Sequence, residues 1–277
     1  LSGKKGLGKS TLAYHLINYI LSQDEDFKYD SSKFIINKDN KSYKLIQNCT
    51  HPNFYLIDLV EEKKNIDVAQ IRKMINYTNK STFNNMSRFI LIDNVENLNK
   101  NSVNALLKII EEPNNNIFFI LINNSEKKIL PTLKSRCLTF KINFTFNETV
   151  NTINSLLKKD IFELLNKDLV NYYTTTGEVI NLIDLGNDKN INLLEYDLIS
   201  LLNLLIDNRY YKKNKIVKNI IINFIELFFL KKSKLSDVGR SMFTFYHDFI
   251  GKIHNSEKFN LDEESLFLEF KSKLLNG

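Results

Sequence analysis

Short apolar runs alternate with helically spaced segments through the first half of the chain. Four runs have the length and the β-branched or aromatic content of buried strands, and they span Phe54–Leu59, Phe89–Asp93, Ile117–Ile122 and Leu138–Ile142. Strands that alternate with helices in this way usually pair in parallel, with helices covering the sheet. The pattern therefore predicts an α/β fold for residues 1–142.

The rest of the chain lacks strand signals and is rich in apolar residues at helical spacing. Leu198–Leu205 and Ile216–Leu230 are especially apolar, and polar residues within the second stretch favour a buried helix over a membrane span. We expect a small helical segment over residues 143–187. An all-α C-terminal domain is expected over residues 188–277.

Composition narrows the class of protein without indicating a function. The chain has 277 residues, which is enough for about two domains. Its content of 43% hydrophobic and 25% charged residues is that of an ordinary globular protein. Cys49 and Cys137 are too far apart in sequence to suggest a zinc module or a disulfide framework. No stretch has the pattern of a signal peptide or a membrane span, so we expect a cytoplasmic protein. Because of the cysteine spacing, we expect no zinc.

The net charge of +6 is weak evidence for a nucleic-acid partner. Lysine supplies 33 of the 38 basic residues, and Asn and Ile are also abundant, which indicates a coding sequence rich in A and T. Each of the five arginines is more informative for that reason. The chain also opens with Leu1, directly before a motif that normally follows a strand. We therefore expect the first strand of the fold to be missing from this sequence.

A glycine-rich loop with the spacing G-x-x-x-x-G-K-[ST] occupies residues 3–10. Its glycines allow backbone N–H groups to converge on an anion, and the helix predicted from Thr11 adds its positive end. Lys9 would reach the β and γ phosphates of a nucleotide, and Ser10 would coordinate magnesium. A glycine-rich turn that only caps a helix is the alternative. The pattern predicts a site for ATP or ADP with Mg²⁺, formed by Gly3, Gly6, Gly8, Lys9, Ser10 and Thr11.

The strand that ends at Asp93 supplies the second acidic group that such a site needs. A carboxylate at the carboxyl end of a parallel strand lies where ligands bind, so we expect Asp93 and Ser10 to share the magnesium ion. An aspartate that only caps the next helix is the alternative. The following residue is Asn94, where ATPases that activate water normally have glutamate. Because an amide does not accept a proton from water, the sequence predicts binding with little or no hydrolysis.

Another polar strand end follows the next predicted helix. That helix spans Asn101–Glu112, is amphipathic and is stopped by Pro113. The strand after it runs into Asn123–Asn124. Asn123 could contact the γ phosphate, although a plain turn fits the sequence equally well.

Several motifs in this half of the chain resemble the bacterial clamp-loader branch of the AAA+ ATPases. They are Asn-Ala-Leu-Leu-Lys at 104–108, Glu-Glu-Pro at 111–113, Phe-Phe at 118–119 and Ser-Arg-Cys at 135–137. The resemblance extends from the glycine-rich loop to about residue 142. It implies a P-loop AAA+ sheet with flanking helices, then a small helical lid, and then a helical collar that holds subunits in a ring.

The resemblance also implies a role in trans for one arginine and a set of partners. Arg136, in the Ser-Arg-Cys motif, is similar to an arginine finger that stabilises transition-state charge in the ATP site of a neighbouring gamma/tau subunit. The implied partners are gamma/tau and delta subunits in a hetero-oligomeric ring, the sliding clamp, and primed DNA through the complex. The implied function is loading of the sliding clamp during DNA replication by DNA polymerase III.

Two kinds of subunit in this branch stay open. A gamma/tau motor normally has four zinc-ligating cysteines before its acidic strand and a glutamate after the strand-end aspartate, whereas this chain has Cys49 and Asn94. Thr174–Ile180, where a lid helix usually has a sensing arginine, contains none. These departures favour a stator-like subunit that binds nucleotide and hydrolyses it poorly. A catalytically active motor ATPase is the alternative.

Overall fold

The computed structural model describes residues 1–60, 63–80, 86–112, 116–125, 128–212, 214–233, 239–259 and 264–275. It divides the chain into two units, Leu1–Phe144 and Thr145–Gly277. Each unit has its own hydrophobic core and is described by itself. The expected separation of a lid from a collar at residue 187 stays a prediction.

Helices and strands alternate along the described part of the first unit, as the sequence predicts. In chain order they are α1 (Lys9–Leu21), α2 (Lys41–Gln47), β1 (Phe54–Ile57), α3 (Val68–Thr78), β2 (Arg88–Ile92), α4 (Lys100–Glu111), β3 (Ile117–Leu121) and α5 (Pro131–Lys134). The first three predicted strands are confirmed to within two residues at each end. Pro113, the predicted stop of α4, lies outside the described residues.

The three strands form a parallel sheet in the order β1-β2-β3. Phe54 pairs with Phe89 and Ile57 with Ile92, and Ile92 in turn pairs with Leu121. This register aligns the carboxyl ends of all three strands. The α/β fold class predicted from the sequence is confirmed, and the polar residues that follow each strand meet at one edge of the sheet.

Helices cover both faces of this sheet. All five residues of β2 are buried. Alternate side chains along a strand point to opposite faces of the sheet, so both faces must be covered for all five to be buried. Phe89 and Leu91 pack with residues of α1, and Ile90 and Ile92 pack with residues of α3 and α4. A central strand buried on both sides holds the residues at its end, Asp93 among them, in a fixed position.

The fourth predicted strand, Leu138–Ile142, does not form as a regular strand. Its only strand-like pairing in the described residues is a single bridge between Lys141 and Ser2. Ser2 donates its N–H to Phe140 O at 2.9 Å and accepts from Ile142 N at 2.8 Å. The prediction of a full strand was wrong because, among the described residues, this segment finds a single bridge partner instead of a neighbouring strand.

Residues 1–3 also form backbone hydrogen bonds with Asn123, which lies just beyond the end of β3. Asn123 N donates to Leu1 O at 2.9 Å, and Gly3 N donates to Asn123 O at 3.2 Å. The residues before the glycine-rich loop therefore lie between the extension of β3 and residues 140–142. Backbone hydrogen bonds on both sides anchor the start of the loop.

The described part of the second unit is helical. Its helices are α6 (Phe146–Leu157), α7 (Thr176–Lys189), α8 (Leu198–Asp207), α9 (Lys215–Ser233), α10 (Gly239–Phe259) and α11 (Glu264–Phe270). α9 packs against α7, α8 and α10, and its apolar side chains belong to one large core. Thr145 and Thr175 begin α6 and α7 with capping boxes. None of the helices in the described ranges combines the length and the hydropathy needed to cross a bilayer.

Candidate nucleotide site

The glycine-rich loop has the backbone conformation that its composition predicts. Gly6 and Gly8 have φ angles of 86° and 75°, in the left-handed region that glycine adopts without strain. A Cβ atom on Gly3 would lie 2.3 Å from Ile142 O, so a side chain there would collide with the backbone. α1 then begins at Lys9 behind Gly8, which has no side chain to cap the first turn. The N–H groups of that turn face the place where an anion would bind.

Lys9 lies inside the loop rather than in solvent. Its side chain is buried, and its ammonium group donates to Lys4 O at 2.6 Å. This bond bends the loop around the ammonium group. A phosphate oxygen bound at the start of α1 would be a stronger, charged acceptor for the same group.

Ser10 and Asp93 come together although 82 residues separate them in the sequence. Ser10 Oγ donates to Asp93 Oδ2 at 2.6 Å, which joins the first turn of α1 to the end of β2. The other carboxylate oxygen, Asp93 Oδ1, accepts from Asn94 N at 2.8 Å. The structure thus brings together the two residues that the sequence assigned to magnesium.

The donor chemistry of this pair fits magnesium. A hydroxyl and a carboxylate are oxygen ligands of the kind that Mg²⁺ prefers, and Mg²⁺ in nucleotide sites usually takes one or two protein ligands and completes its shell with phosphate and water. No group of three or more His, Cys, Asp or Glu side chains in the described residues is arranged to hold a metal ion. If a nucleotide brought the ion with it, the oxygen atoms of Ser10 and Asp93 are the protein groups that would hold it.

Asn94 has a left-handed backbone conformation, and its side chain is hydrogen-bonded to residues that follow the other two strands. Its φ is 56°, in the left-handed region that asparagine tolerates better than most residues. Its Nδ2 donates to Asp58 Oδ1 at 2.7 Å, and its Oδ1 accepts from Asn124 Nδ2 at 2.8 Å. Asn124 N also donates to Glu96 Oε1 at 3.1 Å. Side chains from the ends of all three strands form one hydrogen-bonded network beside the loop.

Asp58 and Asn124 are functional candidates that sequence reasoning missed. Asp58 directly follows β1, so the rule that singled out Asp93, a carboxylate at the end of a buried strand, would also have found it. Asn123, which the sequence favoured, has different partners: its Nδ2 donates to Ser2 Oγ at 3.2 Å and its Oδ1 accepts from Ser125 N at 2.9 Å. Its proposed contact with a γ phosphate stays a prediction, as does a contact of Thr11, which is exposed in the first turn of α1.

Tyr14 shows how the site acts on a neighbouring ionisable group. Burial on α1 is the largest cause that raises the pKa of Tyr14, and the negative charges of Cys49, Asp93 and Asp58 raise it further. The raised pKa extends the range of pH over which its phenol stays neutral. A neutral phenol beside two carboxylates adds no negative charge to a site that would bind phosphate.

Arg136 is exposed and is held by residues of its own unit. It follows α5, and its Nε donates to Glu111 Oε1 at 2.5 Å, at the end of α4. Its Nη1 donates to Thr132 O at 2.8 Å. The side chain is 38% exposed, so the ion pair orients the guanidinium at the surface without burying it.

The segment that the resemblance predicts to be a lid has no arginine at the start of its helix, α7. Thr175 caps α7 by accepting from Glu178 N, and Glu178 Oε2 accepts from Thr175 N at 2.8 Å. Glu178 Oε1 also accepts from Asn223 Nδ2 at 3.2 Å. The first turn of α7 is thus organised by hydrogen bonds within the second unit.

Comparison with known proteins gives a family match over the unit that contains this site. A sequence model of the family described as DNA polymerase III, delta subunit, matches residues 1–145, just over half of the chain. The DNA polymerase III subunit delta′ of Pseudomonas aeruginosa is 30% identical over 138 residues, which cover 50% of this chain and 40% of that protein.

Other relatives are described as gamma subunits of DNA polymerase III. The DNA polymerase III subunit gamma of Buchnera aphidicola subsp. Schizaphis graminum is 34% identical over 161 residues, which cover 57% of this chain and 42% of that protein. The chain thus spans less than half the length of these two relatives. A solved structure of a gamma-subunit-related protein of DNA polymerase III from Thermotoga maritima aligns at 17% identity, covering 78% of this chain and 81% of that chain, with a TM-score of 0.43.

Proposed function

The chain belongs to the DNA polymerase III delta subunit family, and from this premise we propose that it acts as a delta prime, stator-like subunit of the bacterial clamp loader. In this proposal it binds ATP or ADP with Mg²⁺ and hydrolyses the nucleotide slowly or not at all. It presents Arg136 to a neighbouring gamma/tau subunit, so that the ring of subunits, with delta, loads the sliding clamp onto primed DNA.

The contact between Ser10 and Asp93 is the observation that best supports nucleotide binding. It places a hydroxyl and a carboxylate at 2.6 Å from each other at the start of α1, next to the buried Lys9. A P-loop site holds a nucleotide with three parts, which are a cationic side chain, ligands for magnesium and the N-terminus of a helix. All three are contributed by the first unit alone.

The partners of Asn94 support slow hydrolysis. Both atoms of its amide are engaged, with Asp58 and with Asn124, and neither atom is a base. A residue that neither accepts a proton nor is free to orient water gives no general-base catalysis. The described start of α7 also contains no arginine that would stabilise charge on the γ phosphate.

The placement of Arg136 supports its action in trans. The guanidinium is exposed, and it donates hydrogen bonds to Glu111 and to Thr132 O in its own unit. A charged group fixed in this way loses less side-chain entropy when it contacts a phosphate than a freely rotating one. The gamma/tau subunit would supply that phosphate.

Reconstitution tests the proposed place in the ring. Purified chain is mixed with gamma/tau, delta and the sliding clamp, and complexes are isolated by size exclusion. We expect a stable complex that contains this chain and that loads the clamp onto primed DNA in the presence of ATP. A ring that assembles and loads equally well without this chain would reject the proposal.

A motor ATPase of the gamma/tau type is the second candidate. The complete loop motif and the Buchnera aphidicola gamma subunit among the relatives favour it. The two candidates differ in turnover by the isolated chain, since a motor completes many cycles of ATP hydrolysis. Repeated turnover that is abolished by Lys9→Ala would support the motor and reject the stator.

A further inference from the structure

The proposed site contains a contact that neither the loop motif nor Asp93 explains. Asp58, which directly follows β1, accepts from Asn94 Nδ2 at 2.7 Å and from Leu59 N at 2.6 Å through the same oxygen, Oδ1. The backbone oxygen of Asp58 accepts from Gln70 Nε2 at 2.9 Å, which fixes this turn against α3. Asp58 is thus a well-anchored acceptor for the Asn94 amide.

Donor and acceptor chemistry determines which way the Asn94 amide faces. An ionised carboxylate only accepts hydrogen bonds, so the NH₂ group of Asn94 must face Asp58. Its carbonyl oxygen then faces the NH₂ group of Asn124, as the 2.8 Å contact requires. The opposite orientation would set two oxygens against each other at Asp58 and two NH₂ groups against each other at Asn124.

The orientation of Asn94 passes to Asp93 through the backbone. Asn94 N donates to Asp93 Oδ1 at 2.8 Å, so this oxygen points toward the turn. Asp93 Oδ2 is left to face Ser10 at 2.6 Å. Holding Asn94 in place therefore decides which Asp93 oxygen is available to a magnesium ion.

We propose that Asp58 is a positioning residue of the nucleotide site: through Asn94 it orients the Asp93 carboxylate toward Ser10 and the magnesium of a bound nucleotide. The same contact selects an amide over a carboxylate at position 94. This inference rests on the proposed nucleotide binding and names a residue that acts through two others.

A negative charge at position 94 would be unfavourable for a specific reason. In Asn94→Asp, the new carboxylate would lie against Asp58 at hydrogen-bond distance and next to Asp93 along the chain. Like charges at this distance repel, and one of them must take up a proton or move away. The exchange Asp58→Asn with Asn94→Asp restores one donor facing one acceptor, so the double variant should recover what the single variant loses.

Fluorescent ADP binding, measured with magnesium and with EDTA, tests the inference. With magnesium, Asp58→Ala and Asn94→Asp should each weaken binding by about tenfold, the lower end of the range seen for outer residues of metal sites. With EDTA, Asp58→Ala should lose no affinity relative to the wild type, because its effect reaches the nucleotide only through the metal ligand. The double exchange should bind more tightly than Asn94→Asp alone. Asp39→Ala is the matched control, since Asp39 is exposed and pairs with Lys44 away from the site.

Each outcome has a defined meaning. Equal losses with magnesium and with EDTA, an unchanged Asp58→Ala, or a double exchange no better than Asn94→Asp would overturn the positioning role. Thermal melting shows whether each variant is folded, and if Asp58→Ala does not fold, the comparison of Asn94→Asp with the double exchange decides. A wild-type chain that binds no nucleotide with magnesium would overturn the proposed function as well, whereas normal wild-type binding with unaffected variants rejects this inference alone.

Discussion

Ser10 and Asp93 form a 2.6 Å hydrogen bond between the first turn of α1 and the carboxyl end of β2. The contact depends on the sheet, because β2 is buried on both faces and holds Asp93 in a fixed position beside the loop. It depends equally on the loop, whose glycines bring Ser10 back to the sheet edge. Two distant segments of sequence thus meet at the carboxyl edge of the described three-stranded sheet, beside the N-terminus of α1.

Removal of either proposed magnesium ligand should weaken nucleotide binding only when magnesium is present. Ser10→Ala and Asp93→Asn each remove a charge-assisted contact, for which we expect a loss of about 1.5–3 kcal/mol, or roughly 10- to 150-fold in affinity. Fluorescent nucleotide titration with magnesium and with EDTA measures it. Lys38→Ala, an exposed change outside the site, is the control. A loss of the same size with EDTA would show that the pair supports the fold rather than the ion.

Lys9→Ala should weaken binding with and without magnesium. The buried ammonium group is the main positive charge that the loop offers to phosphate, and it acts directly rather than through the ion. The same titration distinguishes this variant from Ser10→Ala by its loss in EDTA. Affinity that survives Lys9→Ala in both conditions would contradict the assignment of the loop.

Arg136→Ala should slow hydrolysis in the assembled ring while leaving nucleotide affinity of this chain unchanged. A finger supplied in trans acts on the neighbour's transition state, and we expect hydrolysis at that one site to fall on the order of 10³-fold. Pre-steady-state phosphate release by the reconstituted loader measures it. Arg72→Ala, on the exposed side of α3, is the matched control. Loss of nucleotide affinity by this chain itself would instead place Arg136 in its own site.

Arg88→Met should destabilise the first unit without touching the nucleotide site. Arg88 is buried, and its Nη1 donates to Tyr77 O at 2.9 Å and to Lys80 O at 3.0 Å, near the C-terminus of α3. Its guanidinium carbon also lies 4.6 Å from the centre of the Tyr77 ring. Leaving these partly buried carbonyl groups without this donor costs about 1–3 kcal/mol. Urea unfolding measures the change, and Arg72→Met should shift the midpoint far less.

Stability should fall as the pH drops below about 6.5 because of His51. Burial is the main cause that lowers its pKa, opposed by Glu25 and assisted by Lys41. His51 Nδ1 accepts from Asn53 N at 3.0 Å, a bond that the protonated ring cannot accept. The unfolded chain therefore binds the proton more tightly than the folded chain, so this stabilising contribution is present above the unfolded pKa and is lost as pH falls toward the folded one.

The size and origin of this pH effect can be measured. Urea unfolding between pH 5 and pH 7.5 should give a slope of at most about 1.4 kcal/mol per pH unit from a single group. His51→Gln removes the titrating group and should flatten that part of the profile. A variant with the same slope as the wild type would assign the effect to another residue.

Sequence reasoning worked best where one local pattern carries the signal. The loop lysine and serine, Lys9 and Ser10, are adjacent in a contiguous motif, and Asp93 ends an unbroken apolar run, so each could be proposed without knowing the fold, and the structure brings Ser10 and Asp93 into contact. Asp58 could have been found by the same rule, because it is a carboxylate that directly follows a buried strand, but its contact with Asn94, like that of Asn124, depends on register between strands. That register aligns β1 and β3 with β2, and single strands do not reveal it.

Other features depended on partners that no local pattern shows. The apolar run at Leu138–Ile142 has the composition of a strand, yet a strand needs neighbours to pair with, and within the part of the chain that the structure describes Ser2 is its one bridge partner. The ion pair of Arg136 with Glu111 links two motifs that were noted separately. Their contact follows from where α4 and α5 end, which only the folded chain determines.

The measurement that most directly tests the account is a single-chain nucleotide experiment. Purified chain is incubated with radiolabelled ATP and magnesium, the complex is isolated by rapid gel filtration, and the bound nucleotide is identified by chromatography. The account predicts stoichiometric nucleotide that is still ATP, and that is lost in Lys9→Ala. Failure to retain any nucleotide, or rapid conversion of an excess of ATP to ADP by the wild-type chain but not by Lys9→Ala, would contradict it.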